Sequence, residues 1–255
     1  MKTPPFRCLF CSTTTGLFTR VEHPIPESLG NDSLLIEPGF ICDSCNQYFG
    51  VKVEYFVLSA PPFGVERVRA DVKTKKGKHT IFTSPHITLY PTGFKDSVFF
   101  SASPEYWNLM QKNSLLLLPQ SSKNDFLLVR LLLKIGLELL LTTDDYNPYD
   151  SQFDNARKFA RSPIVGAEWQ LAYGIYPKPD DLIISWREDE ISPLVTHQLY
   201  QYEMGVMKNG DLIFSFMYAT HLYSCNLMQP SIVEYKNEFN ALNDFRLRVI
   251  DTKNL

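Results

Sequence analysis

The sequence is poor in several features that would place it quickly. No segment offers the run of about 20 apolar residues that a membrane-spanning helix requires. The most apolar one, FLLVRLLLKIGLELLL from Phe126 to Leu141, is shorter and carries Arg130, Lys134 and Glu138. The opening MKTPPFRCLFC lacks the apolar core of a secretory signal, so the thiols are expected in the reducing cytoplasm, where disulfides rarely persist. There is no internal repeat, low-complexity tract or long Gly/Ser linker. A net charge of -3 excludes a broadly basic nucleic-acid coat. What remains is a chain of 255 residues, 44% hydrophobic, long enough to bury a core.

Charge is unevenly spread. Residues 1–80 hold 10 Lys/Arg against 8 Asp/Glu, and the remainder holds 15 against 20. Any phosphate contact should therefore be local and towards the front. Arg130, Lys134 and Glu138 recur every fourth residue, which puts them in one polar stripe on an otherwise apolar helix, a pattern that predicts a helix largely buried in a core.

The clearest change of pattern falls near Ser59-Ala-Pro-Pro-Phe. Beyond it, VERVRADVKTKKGKHTIF reads as two strands around a Lys76-Gly77 turn, followed by further strand-like sequence. Helices are predicted over Asp125–Leu141 and Ser151–Arg161. From Asp181 the pattern turns to strands: LIISW, QLYQYEMGVM, an Asn209-Gly210 hairpin turn, and DLIFSFMYATHLYSCNL. The fold class expected is α+β, with a small metal-bound module over residues 1–58 and an α+β accessory domain, regulatory or oligomerising, over 59–255.

Cys8-x-x-Cys11 and Cys42-x-x-Cys45 are two knuckle pairs, and four thiolates suit a closed tetrahedral zinc site. Cys225, in a strand-like run, reads as a small core residue. Between the knuckles lies Glu22-His23, running into Pro24-Ile25-Pro26. An imidazole is the side chain best placed to take a proton from water near neutral pH, and a carboxylate can hold a hard divalent cation. Asn46, directly after Cys45, can add an oxygen ligand and is expected near the start of a helix whose apolar positions are Phe49, Val53 and Phe56.

The words CLFC, VEHPIPESLGND and CDSCNQYFG, with VEYF behind, resemble the HNH endonucleases, the ββα-metal nucleases, in a zinc-knuckle branch where Glu-His replaces the commoner Asp-His. The resemblance covers about residues 8–58. It implies that His23 is the general base, that Glu22 and Asn46 bind the catalytic metal, and that Cys8, Cys11, Cys42 and Cys45 hold structural zinc. Asn46 stands where many relatives have His, which favours Mg²⁺ or Mn²⁺. The region Leu35 to Phe40, where relatives carry an Asn that orients the base, has none, and Asn31 lies nearer to His23. The function implied is metal-dependent hydrolysis of nucleic acid, DNA before RNA, in a bacterial defence or mobile-element setting. The alternative is a zinc module that binds nucleic acid or a protein partner without chemistry.

On the strand reading, Arg67, Arg69, Lys73 and Lys75 alternate onto one face and, with Lys76 and Lys78, could grip a duplex backbone. A lysine-protected edge strand is the other reading of the same residues. Arg7, Arg20 and Lys52 lie nearer the proposed site in sequence. His79, His86, His197 and His221 have no partner at metal-binding spacing and read as structural. Tyr200, Tyr202, Phe214, Phe216 and Tyr218 recur with period two, which marks a sheet core more readily than a ligand pocket.

Overall fold

Two short extended segments and a helix make up the front of the chain in the computed structural model, which describes residues 3–74, 76–93, 97–113, 122–175, 199–243 and 245–253. Glu22 and Ile36 exchange backbone hydrogen bonds of 3.0 and 2.8 Å in an antiparallel bridge. The loop between them makes a 3-10 turn, Glu27–Leu29, closed by Gly30 at φ 93°, a left-handed conformation that costs glycine nothing. Helix α1 (Asp43–Phe49) follows the second knuckle. Asp43 reaches back from its first turn, accepting from the Thr19 backbone N–H at 2.9 Å and the Thr19 hydroxyl at 2.7 Å, and so fastens the incoming chain to the helix.

The helix passes through a π-helical turn, Gly50–Glu54, into α2 (Tyr55–Ser59). A π turn inserts one residue and rotates everything after it. The buried series is therefore Phe49, Val53 and Val57, and Phe56, expected in the core, is 48% exposed.

The strand expected from Val65 is instead helix α3 (Phe63–Arg69). Pro61-Pro62 precedes it, as proline suits a helix start, and Glu66 and Arg69 pair three residues apart at 2.6 Å. Arg67 and Arg69 thus share no strand face with Lys73. The turn at Gly77 forms, but its strands shrink to one bridge, Lys73 to His79. Strands β1 (Phe82–Thr83), β2 (Ile87–Pro91) and β3 (Val98–Ala102) make a small antiparallel sheet. With α3 and α4 (Pro104–Asn113) this sheet encloses a satellite core of Val68, Phe82, Ile87, Leu89 and Tyr106.

Helix α5 (Ser122–Leu139) is the centre of the molecule. It packs on α6 (Asp154–Arg161), on α2 and on an antiparallel five-stranded sheet of order β5-β6-β7-β4-β8. The strands are β4 (Glu168–Ile175), β5 (Tyr200–Val206), β6 (Leu212–Tyr218), β7 (His221–Asn226) and β8 (Arg248–Lys253), with α7 (Val233–Leu242) between the last two. Gly136 allows the close approach of helix to sheet: a Cβ there would meet Leu227 Cδ2 at 2.8 Å and Phe214 at 3.1 Å.

The hairpin at Asn209-Gly210 forms as expected, with Gly210 at φ 91°. Alternation along β6 sends Leu212, Phe214, Phe216 and Tyr218 into the main core and Ile213 to the opposite face. The run LIISW and His197 lie outside the described residues, and β4, β8, α4 and α7 had no counterpart in the sequence reading. One apolar cluster runs from Cys8 and Phe10 through Phe49 and Val57 to Leu132 and Leu227, so the core crosses the pattern change near Ser59 without a break. No helix among the described residues is long and apolar enough to cross a membrane.

Candidate metal centre and carboxylate cluster

The two knuckles close on one another. The Sγ atoms of Cys8, Cys11, Cys42 and Cys45 all lie within 4.8 Å of each other, and those of Cys11 and Cys42 are 3.7 Å apart. A tetrahedral ion with Zn–S bonds of about 2.3 Å needs sulfurs about 3.8 Å apart, so four thiolates at this spacing could hold zinc. Each pair is shaped by its own backbone: the Ser12 N–H donates to Cys8 O at 2.9 Å, and the N–H groups of Cys45 and Asn46 donate to Cys42 O at 2.9 and 3.0 Å.

The thiols differ in acidity. A hydrogen bond with Cys45 draws Cys8 down to about 4, and that same bond, with burial, pushes Cys45 upward. Burial pushes Cys42 up to about 11. Arg161 adds a cation at the edge of the group: its Nε donates to Cys45 Sγ at 3.3 Å while its guanidinium lies 3.7 Å over the Tyr48 ring. Four thiolates around a divalent ion carry excess negative charge, which an outer guanidinium offsets. Cys225 is buried in the sheet and takes no part in the cluster.

Glu22 and Asn46 meet, the Asn46 side-chain amide donating to Glu22 Oε2. The strand bridge to Ile36 fixes Glu22, and the first turn of α1 fixes Asn46. On the inner side Glu22 has a partner that went unforeseen. Lys134 Nζ, from α5, lies 2.8 Å from Glu22 Oε1, 3.1 Å from Glu54 Oε1 and 3.0 Å from Glu138 Oε2, and donates to the His23 carbonyl at 3.2 Å.

The Lys134 side chain is 1% exposed. Burial works against its charge, but Glu138, Glu22 and Glu54 outweigh burial and hold the ammonium well above the usual lysine range. Burial likewise pushes Glu138 well above the carboxylate range, only partly relieved by Lys134. Apart from that ammonium, neither Glu138 oxygen has a hydrogen-bond partner among the described residues. The cluster is thus one ammonium, two outer carboxylates and an inner carboxyl group that favours its proton.

His23 is partly exposed; its Nε2 lies 4.0 Å from Glu27 Oε2, and its buried Nδ1 has no hydrogen-bond partner among the described residues. Asn31 acts on the loop rather than on the imidazole. Its amide donates to Ile25 O at 2.7 Å and Leu34 O at 2.9 Å, and its carbonyl accepts from the Leu34 N–H at 2.9 Å. One buried side chain therefore ties the exit from His23 to the strand that pairs with Glu22.

The residues expected to grip a duplex are not brought together as a row. Arg67 donates to Leu58 O at 3.1 Å, Arg69 pairs with Glu66, and Lys73 pairs with Asp71 at 2.7 Å; Lys75 lies outside the described residues. Sequence reasoning gave no site role to Lys134, Glu138, Glu54 or Arg161, and named Asn31 only for its nearness to His23. For Lys134 and Glu138 the signal available was the recurrence of three charges on a helix too apolar to have a solvated face, since buried charges need partners.

No protein-family model, curated protein or solved structure matches this chain.

Proposed function

We propose that the protein is a metal-dependent endonuclease of HNH type that hydrolyses phosphodiester bonds, double-stranded DNA being the favoured substrate. The observation that carries this reading is the contact of Glu22, the residue before His23, with Asn46, on an extended-segment and helix frame closed by four cysteines. Cys8, Cys11, Cys42 and Cys45 would hold structural zinc. Glu22 Oε2 and the Asn46 amide oxygen are hard donors suited to Mg²⁺ or Mn²⁺, the amide turning end for end to exchange its NH₂ for its oxygen. The ion would supply charge neutralisation at the phosphate.

The chain's own groups do the rest. His23 accepts a proton from the attacking water as the new P–O bond forms, the departing oxygen taking a proton from solvent; removing such a base commonly costs about 10²- to 10⁴-fold in rate. Pro24 and Pro26 hold the segment after His23 extended. Asn31 keeps that segment in register with Glu22.

A second reading, a non-catalytic zinc module that binds nucleic acid or a protein, is favoured by one feature: both Glu22 oxygens already have partners, Lys134 and Asn46. Nicking of supercoiled plasmid in Mn²⁺ or Mg²⁺ separates the two. The first reading expects cleavage that falls at least about a hundredfold in His23→Ala. Equal cleavage by both proteins would defeat the role given to His23, and no cleavage with retained nucleic-acid binding favours the second.

A further inference from the structure

We infer that Lys134 is a tethered cation of the Glu22 site: its ammonium takes one oxygen each from Glu22, Glu54 and Glu138, so that a divalent ion at Glu22 finds one oxygen of that residue rather than a shared set of carboxylates. This rests on the reading of Glu22 and Asn46 as ligands of such an ion. Three observations carry it. Nζ lies within 3.1 Å of an oxygen from each of three glutamates. It is buried, so those carboxylates and the His23 carbonyl replace its water shell. And Glu138, fully buried, has no other hydrogen-bond partner among the described residues, which leaves the ammonium as the group it serves.

Remove the ammonium and the oxygens of Glu22 and Glu54 that held it are freed around its place, two carboxylate donors of the kind hard divalent ions select, with affinity rising with the number of charged ligands. Lys134 would therefore set the site's capacity. Because it stands on α5 while Glu22, Glu54 and Asn46 belong to the front of the chain, the docking of α5 decides what the front of the chain can bind.

The test is Mn²⁺ binding to the zinc-loaded full chain, followed by the electron paramagnetic resonance signal of free Mn²⁺, in wild type and in Lys134→Gln/Glu138→Gln. The double variant should bind Mn²⁺ at least about tenfold more tightly than wild type, and adding Glu22→Gln should abolish the gain. Lys134→Met/Glu138→Leu, which replaces the buried pair with apolar groups, carries the same expectation if the amide variant fails to fold. Wild type that binds no Mn²⁺ beside a double variant that does would uphold the tethered cation and defeat the metal-dependent nuclease reading. A folded double variant that binds no more tightly than wild type would overturn the inference, whatever wild type does.

Discussion

Lys134 and Glu22 stand 112 positions apart in the chain and meet at 2.8 Å in its interior. The contact joins a helix of the back half to the strand bridge that carries the candidate site, so neither part is complete alone. Truncating Lys134 leaves two charged carboxylates without their counter-ion. Lys134→Ala should lower unfolding free energy by about 3 to 5 kcal/mol in denaturant titration. Lys73→Ala, which removes an exposed partner of Asp71, should cost about 1 kcal/mol or less.

The four-cysteine cluster predicts a metal-dependent fold. Cys11→Ser should lose bound zinc by elemental analysis and lower the melting temperature, because zinc binding and folding of such a module are coupled. Cys225→Ala, in the sheet core, should keep its zinc.

Asn31 predicts a stability effect that spreads to the site. Its substitution by alanine strands the carbonyls of Ile25 and Leu34 and the Leu34 N–H in a buried loop, at a cost of about 3 kcal/mol. Amide exchange over the loop from Ile25 to Ile36 should quicken while the zinc content stays unchanged.

How much of this was legible depends on how far apart the partners lie in sequence. The cysteine pairs belong to one front segment, and their spacing disclosed the four-sulfur cluster; Glu22 and Asn46, of the same segment, also meet. The Asn209-Gly210 hairpin, the helix up to Arg161 and the aromatic core of β6 are likewise set by local chemistry. Phe63–Arg69 was misread because Val65, Arg67 and Arg69 alternate, whereas Pro61-Pro62 and the Glu66–Arg69 pair favour a helix. Lys134 announced itself as an odd charge on an apolar helix, but its partners lie on other elements, and only the packing of α5 names them.

His221 predicts a pH response. It hydrogen-bonds Tyr173 at 2.9 Å, and burial, with a smaller push from Arg69, lowers its pKa from 6.5 to about 4. The fold favours the neutral imidazole, so between those values the unfolded chain binds a proton that the folded chain refuses. Its contribution to stability is full above pH 6.5 and is lost as pH falls towards 4. His221→Gln should flatten that part of the melting-temperature profile relative to wild type.

The most direct test is anomalous diffraction from crystals grown with zinc and soaked in Mn²⁺. Zinc should appear among Cys8, Cys11, Cys42 and Cys45, and a manganese peak should lie between Glu22 Oε2 and the Asn46 amide oxygen, on the side away from Lys134. Zinc among the cysteines with no manganese against Glu22 at saturating Mn²⁺ would contradict the nuclease assignment.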